Sequence, residues 1–181
     1  MRYLISALAA VLFAAPVFAQ GLTVNYFASP AGPVHLAGIT IGETLEAKRD
    51  DYGAREFDRL IRTLASDLER ELREVALLAE GENGASLNVV IEDAIPNRPT
   101  FAQQGATSSL SFQSFGRGGA HITAELRDAG GALVATYAYN WTTPRLEDAL
   151  YNNVWTDTNR TFDRFSVRLA SSLRDAVNTG S

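Results

Sequence analysis

The chain of 181 residues contains no cysteine, only two histidines and a single lysine, Lys48. The absence of cysteine excludes a disulfide scaffold, a thiolate metal centre and a cysteine nucleophile. A metal site would need both His35 and His121 together with carboxylates. Glu125 shares a predicted strand face with His121 but lies about 13 Å along the strand, too far for one ion to bridge directly. We therefore predict no metal site and no cofactor.

The sequence also lacks the local motifs of common enzymes. It has no Gly-x-Ser-x-Gly elbow. The glycines of residues 116–119 lack the Lys-Ser/Thr of a phosphate-binding loop and precede a strand rather than a helix. A glycosidase would need two opposed carboxylates. Most acidic residues here lie on predicted helix faces, where they are interpreted as solvated charges. A serine triad using a histidine with Asp93 or Asp128 stays open as a third alternative, a periplasmic hydrolase.

Positive charge and long apolar runs are both scarce. Sixteen basic residues against 21 acidic residues give a net charge of −5. Because nucleic acid and anionic lipid both need clustered positive charge, neither is predicted as the main partner. The longest apolar run, residues 4–15, is well short of the roughly 20 residues that span a bilayer. The sequence therefore predicts a protein that does not span the membrane.

The first 19 residues have the pattern of a secretory signal peptide. Arg2 supplies a positive charge, the apolar run follows, and Val17 and Ala19 place small residues before a cut ahead of Gln20. The pattern predicts export to the periplasm and removal of residues 1–19. Residues 20–181 are of a suitable length for a single globular domain.

One long amphipathic helix is predicted at about residues 54–79. Its apolar positions recur at steps of three and four, which places them on one helix face. These positions are Phe57, Leu60, Ile61, Leu64, Leu68, Leu72, Val75 and Leu78. Gly81 is the predicted stop, since glycine accepts the left-handed conformation beyond a helix end.

Strands are predicted on both sides of this helix. The sequence predicts two strands, or one interrupted strand, at residues 22–27 and 34–41. Apolar and polar residues alternate over residues 86–95, which predicts a half-buried strand that ends at Pro96. A hairpin follows, with Arg127 paired to Ala132 and Leu126 opposite Leu133. The apolar residues of both hairpin strands then share one sheet face.

The last part of the chain is predicted to be helical. Thr143 at the N-cap and Pro144 at the first helical position would open a region that continues to about Val177, with a break at 156–159. The complete order of elements predicts an α+β fold, a mostly antiparallel sheet with two amphipathic helices packed on one face.

Residues 96–119 form a long polar connection without helical period, and long loops in compact domains are often functional. Phenylalanines are spaced along it between two arginines, and aromatic residues and arginine are enriched at binding hot spots. The alternative is that the phenylalanines pin the loop to the core. The predicted binding residues are Arg98, Phe101, Phe112, Phe115 and Arg117.

Several short patterns in this part of the chain resemble an uncharacterised family of secreted proteobacterial proteins. They are the residues Pro-Asn-Arg-Pro-Thr at 96–100, Gly-Gly-Ala at 118–120 and Trp-Thr-Asp at 155–157, and the resemblance covers roughly residues 86–177. More distantly, the element order is similar to the periplasmic domains of curli-secretion and transport-accessory lipoproteins, although this chain lacks their lipidated cysteine. The distant similarity implies a binding or assembly module, whereas the family resemblance brings no known activity and no catalytic residues with it.

Three classes of function follow from the sequence. The preferred one is a non-enzymatic periplasmic module that binds a protein or cell-envelope component through residues 96–119. The alternative is a carrier of a small apolar ligand between sheet and helices, suggested by the inward aromatics Tyr137, Tyr139 and Trp141. The third is the hydrolase mentioned above. No pattern indicates an oligomeric state.

Overall fold

A computed structural model describes residues 21–149 and 153–179. The predicted signal peptide, residues 1–19, lies outside the described residues. Within these residues the chain forms five strands and five helices. The strands are β1 (Gly21–Tyr26), β2 (Val34–Ile41), β3 (Ala85–Ile95), β4 (Gly119–Arg127) and β5 (Leu133–Thr142). The helices are α1 (Glu43–Glu46), α2 (Arg49–Tyr52), α3 (Ala54–Glu74), α4 (Phe101–Ala106) and α5 (Thr156–Thr179), with a 3-10 turn at Glu147–Ala149.

The strands form one sheet in the order β1-β5-β4-β3-β2. The β2–β3 pair is parallel and the other three pairs are antiparallel. The two N-terminal strands are therefore separate, and they form opposite edges of the sheet. This arrangement confirms the predicted mostly antiparallel sheet.

Helices α3 and α5 pack against each other and against one face of the sheet, here called the helical face. The apolar side of α3 is buried there, as its spacing predicts. The buried residues of α3 are Phe57, Leu60, Leu64, Leu68 and Leu72. Those of α5 include Phe162, Phe165, Leu169 and Leu173. The strands contribute alternate residues such as Leu87, Ile122 and Leu126, so the α+β architecture is confirmed.

Helix α3 ends earlier than the sequence predicts, and Gly81 is not its stop. Ala76 adopts the left-handed conformation with a φ of 59°. The N–H of Ala76 donates to Arg73 O at 3.0 Å and that of Leu77 to Leu72 O at 2.8 Å, which is a Schellman C-cap. An alanine therefore occupies the position where glycine is usual.

Ala76→Gly is expected to stabilise the protein by about 0.5–1 kcal/mol, because alanine is strained at positive φ and glycine is not. Urea denaturation followed by circular dichroism measures the difference. The matched control is Ala65→Gly in the interior of α3, where the same change should destabilise by about 1 kcal/mol. If both substitutions change the free energy of unfolding in the same direction, the strain does not lie at Ala76.

The β4–β5 hairpin forms as predicted, but its register differs by two residues. Leu126 pairs with Ala135, not with Leu133, and Ile122 pairs with Tyr139. A bulge in β5 near Leu133 changes the pairing next to the turn. Because the shift is two residues and side chains alternate with period two, the apolar residues stay on the helical face.

The predicted helix start at Thr143 and the predicted break at 156–159 are both wrong. The N–H of Thr143 donates to Gly118 O at 3.0 Å, so this residue extends the sheet region and does not cap a helix. Residues 156–159 are instead the first turn of α5. The reason is a side chain from elsewhere in the chain, Asn97, which accepts a hydrogen bond from the N–H of Asp157 in this first turn.

Candidate binding surface

Residues 96–119, here called the long loop, are held in place by the buried side chain of Asn97. This residue is 1% exposed. Its Nδ2 donates to Asp157 Oδ2 at 2.6 Å and to Gly116 O at 3.1 Å, and its Oδ1 accepts from the N–H of Asp157 at 2.8 Å. Its backbone bonds Val154 and Gly116. Asn97 therefore joins the start of the loop, the end of the loop and the first turn of α5.

Neighbouring residues complete this buried polar cluster. Asp157 is fully buried, and its Oδ1 also pairs with Arg160 at 2.8 Å. The hydroxyl of Thr158 contacts the carbonyls of Ile95 and Gly119 at 3.1 and 3.0 Å. A Cβ added at Gly118 would lie 2.7 Å from Asn97 Oδ1, so glycine is needed there for the close approach.

The middle of the long loop is not irregular, contrary to the sequence prediction. Thr100 forms a capping box with Gln103 and starts the short helix α4. Gln103 also bonds Asp51 at 2.8 Å, which ties α4 to α2. Farther along, Arg98 Nη1 donates to Phe112 O at 2.7 Å. The loop backbone is thus fixed by polar contacts at both ends and in its middle.

The three phenylalanines of the loop are on the surface. Phe101, Phe112 and Phe115 are 80%, 52% and 38% exposed, so they do not pin the loop to the core. Arg117 is exposed as well. The structure therefore places four of the five predicted binding residues in solvent, while Arg98 is half-buried and supports the backbone beneath Phe112.

Two clefts lie beside Phe101 and Phe115, and Phe112 lines neither of them. A mainly apolar cleft of about 400 Å³ is lined by Tyr52, Gly53, Phe101 and Ala102 together with the neighbouring residues 54–56. A second cleft of about 310 Å³ includes Tyr52, Arg98, Leu110 and Phe115. Tyr52 borders both clefts, so the two form one continuous surface. Arg117 lines neither of them.

Tyr52 is fixed by its neighbours. It meets the ring of Trp155 edge-to-face with centroids 5.7 Å apart, and Trp155 Nε1 donates to Glu56 Oε2 at 2.6 Å. Burial raises the pKa of Tyr52 to about 12, and the carboxylates of Asp93 and Asp51 add to the effect. The phenol therefore stays neutral at ordinary pH and serves as a wall of the clefts.

A polar cleft of about 290 Å³ lies on the other face of the sheet, here called the open face. A register shift between Ile91 and Asp93 places Asp93 opposite His121, so that Glu92 and Asp93 both line this cleft. Glu92 accepts the hydroxyl of Thr123 at 2.6 Å, and Asp93 pairs with Lys48. Both carboxylates thus have partners that account for their positions. No group of three metal-ligating side chains occurs within residues 21–149 and 153–179.

The inward aromatic residues, which suggested a ligand carrier, fill the core. Tyr137 and Tyr139 are buried. Tyr137 OH donates to Tyr26 OH at 3.3 Å, and Tyr139 packs on Phe165 with centroids 6.3 Å apart. Trp141 is covered by the guanidinium of Arg164 at 4.3 Å. These rings occupy the space that a carried ligand would need.

Sequence reasoning missed the residues that organise the surface, namely Asn97, Asp157, Thr158 and Tyr52. Asn97 and Asp157 belong to the Pro-Asn-Arg-Pro-Thr and Trp-Thr-Asp patterns, but nothing in the sequence indicates that they pair. The spacing of Thr100 and Gln103 is that of a capping box, a local sequence pattern that predicts the start of α4.

The fold and this surface define an α+β protein with helices on one face of its sheet and a fixed loop of exposed aromatic residues. In the part of the chain that the structure describes, no helix has the length and apolarity to cross a membrane.

No protein-family model matches the chain, and the comparison with curated proteins found no match. Solved structures that match include PelC of Paraburkholderia phytofirmans. A leucine-to-methionine variant of the PelC dodecamer is 15% identical with a TM-score of 0.48, covering 85% of this chain and 98% of that chain. The PelC dodecamer in a second crystal form is 15% identical with a TM-score of 0.43, covering 86% and 98%.

Proposed function

We propose that the chain is a non-enzymatic periplasmic module that binds a protein or another cell-envelope component through the long loop, in an accessory role in envelope assembly. The observation that carries the proposal is the exposure of Phe101, Phe112 and Phe115 on a fixed backbone. The periplasmic location is supported by the signal-peptide pattern of residues 1–19. The assembly role is supported by the distant similarity of the element order to the periplasmic domains of curli-secretion and transport-accessory lipoproteins.

The energetics of the loop favour binding. Ordering each backbone residue costs about 1–2 kcal/mol, which a polar loop must recover through anchors or a partner. Here Asn97, Thr100 and Thr158 supply the anchors through hydrogen bonds, so the phenylalanine rings are not needed for that purpose. Burying one such ring contributes about 1.5–3 kcal/mol. A partner gains this energy against little ordering cost, because the backbone is already fixed.

The test is the double variant Phe112→Ser/Phe115→Ser. Both rings are exposed, so the free energy of unfolding should change by no more than about 0.5 kcal/mol for each. Association with co-purifying envelope material should be lost, because aromatic anchors act in the complex. Affinity purification from native envelope with quantitative mass spectrometry measures the association, and chemical denaturation measures the stability.

Phe27→Ser is the matched control, since this ring is 63% exposed near the C-terminal end of α5, away from the long loop. It should leave the co-purifying material unchanged. If the double variant retains the same material as the unmodified chain, the long loop is not the binding surface. Equal loss in the Phe27 control would assign the association to general surface hydrophobicity.

A further inference from the structure

The two edges of the sheet are protected to different degrees. The outer edge of β2 is covered at Val34, whose N–H donates to Leu77 O at 2.7 Å and whose carbonyl accepts from Ala79 at 2.9 Å. A register shift between Leu36 and Gly38 also interrupts this strand. Coverage and bulges of this kind prevent a sheet edge from pairing with another chain.

Strand β1 has neither protection. Its sequence, Gly-Leu-Thr-Val-Asn-Tyr, has no charged residue and no proline, and its pairing with β5 is uninterrupted. The N–H of Phe27 donates to Val134 O at 2.8 Å. Because pairing alternates along an antiparallel strand, the N–H and C=O groups of Leu22, Val24 and Tyr26 point outward. Among the described residues, no segment hydrogen-bonds these outward groups.

We propose that β1 pairs antiparallel with β1 of a second copy of this chain, around a two-fold axis at Val24. Val24 then faces Val24 of the second copy, and Leu22 faces Tyr26 of the second copy. Each of the three pairs exchanges two hydrogen bonds, about six in total. The two sheets join into one continuous sheet, with the same patch used on both copies.

Both sheet faces are complementary in this pairing. Leu22 and Val24 are the β5 partners of the buried Tyr139 and Tyr137, so their side chains lie on the helical face. There apolar residues of one copy meet apolar residues of the other. On the open face Thr23 lies opposite Asn25 of the second copy, a polar pair without charge. No like charges oppose each other anywhere along the strand.

Helix α5 adds charge complementarity across the axis. Arg168 Nη1 is 3.9 Å from the Cβ position of Gly21, and Ser172 Oγ is 2.8 Å from Tyr26 OH. The helix thus runs alongside β1 in the same direction. The proposed two-fold axis places the turn of α5 that holds Arg168 beside the turn that holds Asp175 in the second copy. Arg168 lies over the ring of Tyr139 at 5.5 Å and takes part in none of the ion pairs formed within the described residues. Asp175 is exposed and pairs with Arg174 of its own chain through Oδ1 at 3.1 Å, so Arg168 of the second copy would approach Oδ2.

The register is tested by cross-linking, because the chain has no cysteine of its own. In the proposed pair Thr23 and Asn25 of the second copy form a non-hydrogen-bonded pair with Cα atoms about 4.5 Å apart, within the range of about 4.4–6.8 Å that a disulfide spans. The two Leu22 Cα atoms are four residues out of register, about 13 Å apart. Thr23→Cys/Asn25→Cys should therefore give a disulfide-linked dimer on mild oxidation, while Leu22→Cys stays single. A folded Thr23→Cys/Asn25→Cys chain that does not cross-link, or equal cross-linking of both variants, overturns the proposal.

Sedimentation equilibrium tests the interface without oxidation. The unmodified chain should change from one to two copies between micromolar and millimolar concentration. Thr23→Lys/Asn25→Lys places like charges opposite each other and should stay single. The control Thr40→Lys/Asn88→Lys adds the same charge at exposed positions on β2 and β3 and should behave like the unmodified chain. A chain that is single throughout, an edge variant that still dimerises, or a control that does not dimerise would each refute the pairing of β1.

Discussion

Asn97→Ala is expected to lower the free energy of unfolding by about 3–5 kcal/mol. The change removes three hydrogen bonds and leaves the Asp157 carboxylate, the Asp157 N–H and the Gly116 carbonyl short of partners. Each buried group without a partner costs about 1–3 kcal/mol, and a charged group costs more. Arg160 still contacts Asp157, which keeps the total below the sum of the separate losses. Chemical denaturation measures the change.

The same variant should loosen both segments that Asn97 joins. Amide hydrogen exchange is expected to increase in the long loop and in the first turn of α5, while the β4–β5 hairpin keeps its protection. Asn88→Ala is the control, because Asn88 is exposed in the middle of β3. Wild-type stability in Asn97→Ala, or a loss of equal size in Asn88→Ala, would show that the buried polar cluster does not hold the loop.

Leu68→Ala should destabilise the protein by about 2–5 kcal/mol. Leu68 is fully buried in the middle of α3. The substitution removes its apolar contacts and leaves a cavity whose size sets the loss within this range. The urea midpoint should fall while its denaturant dependence stays the same. Ser66→Ala on the exposed side of the helix is the control and should stay within about 0.5 kcal/mol. An unchanged midpoint for Leu68→Ala would mean that the apolar side of α3 does not carry the core.

The periodic elements of the fold were predictable because burial repeats at fixed steps. The apolar spacing from Phe57 to Leu72 predicts α3, and the alternation of residues 86–95 predicts β3 within one residue. Features without a period were not predictable. Helices α1 and α2 have four residues each, which is about one turn and too short for an apolar repeat. No residue type in the sequence marks the bulge in β5. The predicted hairpin register therefore differs from the observed one by two residues.

The candidate site was predictable in composition but not in arrangement. The spacing of the phenylalanines in residues 96–119 indicates a binding surface, yet composition cannot distinguish an exposed ring from a buried one. That difference depends on Asn97 and Asp157, which are 60 positions apart in the chain. Because a hydrogen bond between distant residues leaves no local pattern, the polar anchoring of the loop could not be read from the sequence.

The two tryptophans of the chain lie in different surroundings, so intrinsic tryptophan fluorescence can report on the long loop. Trp155 is buried beside Tyr52 and hydrogen-bonded to Glu56, directly under the clefts of the long loop. Trp141 is half-buried beneath Arg164 on the side of β5 and α5. Replacing Trp141 by phenylalanine leaves a single fluorophore at the base of the long loop. Its emission then follows events at that surface without any added label.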